Sequence, residues 1–219
     1  MKCDLYVITD EGISNGLSHA EVAKRAIAGG ADVIQLRDKN YDCHELFFVG
    51  KALRALTKKT KTLFIINDRL DVALTCGADG VHLGQDDIRA SVARQIAPPG
   101  FIIGVSVGTV DEAVRAERDG ADYIAVSPVF PTASKGDAGP GHGLDALRKI
   151  RTTVTIPIIA IGGISQENAG DVIAAGADGV AVISAVVGSP DITRAARELK
   201  AIVRKAKRIF NEHNREKTR

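Results

Sequence analysis

The 219-residue chain contains no tryptophan, and aromatic residues make up only 4% of it. That scarcity excludes a nucleic-acid platform built on stacked bases. A net charge of +2 with dispersed lysines and arginines removes an electrostatic nucleic-acid surface as well. The one locally basic stretch, residues 200–219 (KAIVRKAKRIFNEHNREKTR), mixes its cations with acids and amides, as a solvated helix end does. The three cysteines, Cys3, Cys43 and Cys76, lie far apart with no CxxC among them. They exclude a disulfide framework and suit a reducing cytoplasm, with Cys76 acting as a buried hydrophobe. No apolar run reaches the roughly 20 residues that span a bilayer. The chain opens on MKCDLYVITD, already strand-like, so no leader is expected before the fold. The expected setting is cytoplasmic, with small-molecule partners, no nucleic acid and no membrane; a homo-oligomer stays open.

Aliphatic residues are abundant, and hydrophobic residues as a whole reach 45%, enough for a sizeable core. They are organised by a repeat. Four segments carry one phrase: GGADVIQLR (29–37), CGADGVHLG (76–84), DGADYIAVS (119–127) and AGADGVAVI (175–183). Each follows a helical pattern. Its glycine suits the position just past a helix, where the backbone turns left-handed, and the apolar run that follows reads as a strand. Four further strands, DLYVITD, LFIIND, FIIGVS and IPIIAIGG, fall between them. Near-continuous Val/Ile/Leu strands separated by helices demand a parallel sheet covered by helices. A doubly wound sheet is the competitor, but its G-x-G-x-x-G after the first strand is missing. The pattern predicts an α/β protein made of a single (β/α)8 TIM barrel over residues 1–219, with 206–219 a polar C-terminal tail.

In such a barrel the active site lies at the C-terminal ends of the strands. The polar residues collect there: Thr9 and Asp10, Gln35 with Arg37 and Lys39, Asn67 and Asp68, His82 with Gln85 and Asp87, and Ser106. Ser127, the loop PTASK (131–135), Gly162, Gly163 and Ser184 complete the set. Asp68 and Asp87 offer hard oxygens suited to Mg2+, which takes one or two carboxylates together with phosphate oxygens. Arg37, Lys39 and Lys135 are cations for an anionic ligand. Gly162, Gly163 and Ser184 stand where barrels often build a phosphate site. Two phosphate-bearing ligands can therefore meet over one barrel. Each signal also has a plainer reading. Asp68 alone is a helix N-cap candidate, one of Asp86 and Asp87 an N-cap for a helix beginning near Ile88, and Asp10 a loop cap. His82 reads as a hydrogen-bonded core histidine and His142 as a solvated loop residue. The glycine-rich loop 135–143 reads as mobile and able to close over the site.

With those residues in view, the chain closely resembles the thiamine phosphate synthases over roughly residues 4–205. The matching blocks are LYVITD, QLRDK, INDRLDVAL, GADGVHLGQDD, GVS, GADYIAVSPVFPTASK, AIGGI and GVAVIS. The resemblance implies a transferase that joins a pyrimidine diphosphate to a thiazole phosphate and releases pyrophosphate. It further implies that Gln35, Leu36, Arg37, Asp38, Lys39, Asn67, Ser106 and Lys135 hold the pyrimidine diphosphate. Arg37, Lys135 and Ser106 would serve catalysis. Thr132, Ala133, Ser134, Gly163, Ile183 and Ser184 would hold the thiazole phosphate, and Asp68 and Asp87 would bind Mg2+. The related thiazole tautomerases, which isomerise rather than couple, are the alternative. They use a histidine near the end of the sixth strand, where this chain has SPVFPT with Pro128. Many members carry a histidine two residues after the strand-5 serine, where this chain has Gly108.

Overall fold

The computed structural model describes residues 1–132, 134 and 140–217. Eight parallel strands pair in sequence order and close into a barrel. They are β1 (Leu5–Ile8), β2 (Val33–Leu36), β3 (Leu63–Asn67), β4 (Gly80–Leu83), β5 (Ile102–Val107), β6 (Tyr123–Val126), β7 (Ile158–Ile161) and β8 (Gly179–Val182). The helices that follow them are α1 (His19–Ala28), α2 (Cys43–Thr57), α3 (Leu70–Cys76), α4 (Ala90–Ile96), α5 (Val110–Arg118), α6 (Gly143–Arg151), α7 (Ala169–Ala174), α8 (Ser184–Val187) and α9 (Ile192–Lys217). The parallel register of β1 on β8 (Leu5 opposite Val180) closes the ring. Closure hides every strand edge, and both faces of each strand are packed, which is why the strands read as continuous apolar runs. Residues 206–217 continue helix α9. Among the described residues no helix is long and apolar enough to cross a membrane.

The repeated Gly-Ala-Asp explains how the barrel is assembled. Gly30, Gly77, Gly120 and Gly176 all take positive φ, between 73° and 107°, turning the chain from helix to strand. The aspartates that follow clamp the N-terminal ends of neighbouring strands. Asp32 accepts the backbone N–H of Leu5, Asp79 that of Phe64, Asp122 that of Ile103 and Asp178 that of Ile158, at 2.7–3.0 Å. Each is also paired with a cation from a helix: Lys200, Arg54, Arg94 and Arg151 respectively. One phrase therefore supplies both the turn and the latch, four times around the bottom of the barrel.

Inside the barrel the packing is partly polar. Gly104 faces inward, and a Cβ there would sit 2.1 Å from the Tyr123 ring. The glycine makes room for a tyrosine at the barrel axis. Cys3 and Cys76 are buried and Cys43 is exposed; all three are free thiols.

Candidate active site

The strand ends predicted from the sequence meet at one mouth. At the end of β3 the chain turns through Asp68, whose φ of 61° places a non-glycine residue in the left-handed region. Residues held in this region by their surroundings cluster at active sites and ligand clamps. Its N–H donates to the His82 carbonyl at 2.8 Å. Arg69 occupies the N-cap position of α3 and makes no side-chain cap bond, so Asp68 is not used for capping. Nor does Asp86 or Asp87 cap α4, which begins at Ala90 with Arg89 before it. The expectation of a helix from Ile88 fails because Asp87 folds back to accept the Gly84 N–H at 2.6 Å, lengthening the loop.

That fold-back places Asp87 beside Asp68 on the wall of one cavity. Burial, and then the neighbouring Asp87 carboxyl, push the Asp68 pKa up to about 6, while Lys39 and Arg37 pull it the other way. Asn67, Ser106, Arg37 and Lys39 line the same cavity, which holds about 480 Å³, within the range of small-molecule sites. Beside it lies a second, narrower cavity. Thr132, Ser134, Gly162, Gly163, Ile183 and Ser184 line it, with the Ser134 and Ser184 hydroxyls 3.3 Å apart. Ser127 and Pro128 border both cavities, so the two compartments adjoin.

Other expected contacts sit differently. Leu36 is buried among apolar neighbours, and Gln35 is buried inside the barrel with its amide donating to the Tyr6 hydroxyl at 2.8 Å. Asp38 shapes its own loop. One oxygen accepts the N–H groups of Asn40 and Tyr41, and the other lies 3.1 Å from His19 Nε2. His19 is anchored in turn by Thr9 at 2.7 Å, so this network holds the loop that presents Arg37 and Lys39. Asp10 caps its loop by accepting the Ile13 N–H. His82 is buried and hydrogen-bonded as expected, yet it also borders the cavity. Ala133, Lys135 and residues 136–139 of the 135–143 loop lie outside the described residues.

Two features escaped the sequence. His142, exposed just before α6, lines the cavity with its imidazole over Gly108, where a Cβ would come within 2.5 Å of Nε2. A glycine two residues past the strand-5 serine was the available signal, but its partner lies 34 positions on. The second is the tyrosine pair Tyr6 and Tyr123, hydroxyls 3.0 Å apart, which links Gln35 to His82.

A closed β/α barrel with paired carboxylates, cations and an adjoining hydroxyl-lined pocket at one mouth is the architecture of an enzyme acting on phosphate-bearing small molecules. The family model for thiamine monophosphate synthase matches residues 5–186, and the chain belongs to that family. It is 63% identical over 203 residues to the thiamine-phosphate synthase of Methanocella arvoryzae, covering 93% of this chain and 96% of that one. Identity to the thiamine-phosphate synthase of Methanoregula boonei is 58% over 212 residues, covering 97% and 98%. Thiamine phosphate pyrophosphorylase from Pyrococcus furiosus superposes with a TM-score of 0.86 at 47% identity, covering 94% and 97%. A 3-hexulose-6-phosphate synthase, at 19% identity and a TM-score of 0.69, shares the fold alone.

Proposed function

We propose that the chain is a transferase that makes thiamine phosphate, coupling a pyrimidine methyl diphosphate to a thiazole phosphate with release of pyrophosphate. The observation that carries this reading is the pair of adjoining cavities: one lined by acids and cations, the other by hydroxyls and glycines, meeting at Ser127 and Pro128. A coupling enzyme needs two anionic substrates side by side, and an isomerase acting on one monophosphate has no use for the acid–cation compartment. The thiazole tautomerase alternative is not favoured, since the named relatives are synthases along nearly the whole chain.

In this reading Arg37 and Lys39 bind the diphosphate and Asn67 and Ser106 orient the pyrimidine. Thr132, Ser134, Gly163 and Ser184 seat the thiazole phosphate, with Ala133 and Lys135 of the same loop assigned by resemblance. The methylene C–O bond breaks, its electron pair leaves with pyrophosphate, and the thiazole nitrogen forms the new C–N bond. The cations face the negative charge that grows on the leaving group, the kind of preorganised electrostatics that dominates many rate enhancements. The donor set at Asp68 and Asp87 fits Mg2+. Burial and then the neighbouring Asp87 leave Asp68 with a raised pKa, and a cation between the two carboxylates would offset both. Among the described residues no three His, Cys, Asp or Glu side chains gather as a metal cage. A pair completed by substrate phosphates and water suits Mg2+ better than such a cage. Bound there, it would neutralise diphosphate charge.

The test mixes both substrates with Mg2+ and follows pyrophosphate and thiamine phosphate together. Equal amounts of the two products, with none from either substrate alone, are expected. Isomerised thiazole phosphate without pyrophosphate would overturn the coupling reading.

A further inference from the structure

The barrel interior holds a continuous polar chain. Gln35 Nε2 donates to the Tyr6 hydroxyl at 2.8 Å, and Tyr6 meets Tyr123 at 3.0 Å. Tyr123 meets His82 Nδ1 at 2.9 Å, and His82 Nε2 meets the Ser106 hydroxyl at 2.9 Å. The chain thus runs from the buried interior to a residue lining the larger cavity. Burial keeps both phenols well above their ordinary pKa, so each carries its single proton.

Proton counting gives the chain a direction. The Gln35 amide nitrogen only donates, so among the described residues the Tyr6 proton has one acceptor within reach, the Tyr123 oxygen. If Tyr6 donates there, the Tyr123 proton must go to His82 Nδ1. Neutral His82 then carries its proton on Nε2 and donates it to Ser106, whose own proton is left for an acceptor in the cavity. Running the chain the other way would strand the Tyr6 proton unbonded in the core, which folded proteins avoid.

We infer that Tyr6 and Tyr123 are positioning residues that hold His82 in its Nε2–H tautomer and make Ser106 a hydrogen-bond donor to the substrate in the larger cavity. The matching ligand group is an acceptor, such as a ring nitrogen of the pyrimidine. The kinetic consequence rests on the coupling reading above; the tautomer does not.

The test is ¹⁵N NMR of the full chain labelled at histidine, without substrates, with the His82 signals assigned by their loss in His82→Gln. The unmodified protein should show the Nε2–H tautomer. Tyr123→Phe, which removes one oxygen, should convert it to a tautomer mixture. Gln35→Glu puts an acceptor at the far end of the chain, three hydrogen bonds from His82, and should shift the balance toward Nδ1–H. In the coupling assay Tyr123→Phe should lower kcat/KM for the pyrimidine diphosphate about tenfold, the lower end for an outer hydrogen-bond partner. KM for the thiazole phosphate should stay unchanged. An Nδ1–H tautomer in the unmodified protein, or an unchanged tautomer in both variants, overturns the proposal. Absence of pyrophosphate from the unmodified enzyme would overturn the coupling reading and leave the tautomer result standing.

Discussion

Aspartates crowd both ends of this barrel, and they are treated in opposite ways. At the bottom, Asp32, Asp79, Asp122 and Asp178 each meet a cation and a backbone N–H. Asp4 shows the consequence there: burial raises its pKa, but hydrogen bonds from Arg204 and Lys207 outweigh it and hold it below the usual range. At the mouth, Asp68 faces Asp87, another acid, from a left-handed backbone, and its pKa rises to about 6. The bottom acids are latched for stability. Burial and then crowding of the mouth acids cost stability at the place where the proposed cation would bind.

The largest expected effect separates the two ends directly. Asp68→Asn should lower kcat by about 10²–10³, the range for losing a preorganised charge-stabilising group, roughly 2.7–4 kcal/mol. Asparagine tolerates the left-handed backbone, so the fold survives. Asp87→Asn should act similarly, and EDTA should do the same to the unmodified enzyme. Full turnover of Asp68→Asn at saturating substrate and Mg2+ would remove the metal assignment.

The bottom predicts the reverse pattern. Asp32→Ala leaves the Asp4 and Leu5 N–H groups without this acceptor and Lys200 with the Gly30 carbonyl but no counter-charge, costing about 2 kcal/mol. For a chain of this length that lowers Tm by about 4–8 °C. kcat and both KM values should hold, because no bottom latch reaches the mouth. Thermal melts beside steady-state kinetics measure both; a variant that melts normally but turns over slowly would break the division between the ends.

Much of this division was legible in the sequence, and the illegible part has a common cause. Strand runs, the glycine turns of the Gly-Ala-Asp phrase and the polar strand ends are local signals, set by a short continuous apolar run or by one residue's φ. The phrase announced its turns but not its latches, because Asp32 finds Lys200 only after the barrel closes. The polar lining of the mouth could be read from the strand ends. The tyrosine chain could not, because alternation tells which face a side chain takes but not which strand's residue it meets across the axis. Gly104 shows the limit: it read as part of an apolar strand, and only the closed ring reveals that it makes room for Tyr123.

The smallest effect is the pH dependence of stability in metal-free protein. The Asp68 pKa, raised to about 6, lies above the ordinary 3.8 of an unfolded aspartate. Between about pH 4 and pH 6 the folded state therefore keeps a proton that the unfolded chain has released, and stability falls as pH rises through that window. Two units correspond to about 3 kcal/mol, but solvent screening at this half-open mouth reduces the expected loss to about 1 kcal/mol. Asp68→Asn has no such proton, so its advantage over the unmodified chain should grow from near zero at about pH 4 to about 1 kcal/mol at pH 7. Asp4 does not confound the comparison. Its lowered pKa contributes stability that is present above its unfolded value and lost only as pH falls below it, outside the window. Urea unfolding of both proteins in EDTA across this range measures the difference. Parallel stability curves would show that the folded mouth does not raise the Asp68 pKa.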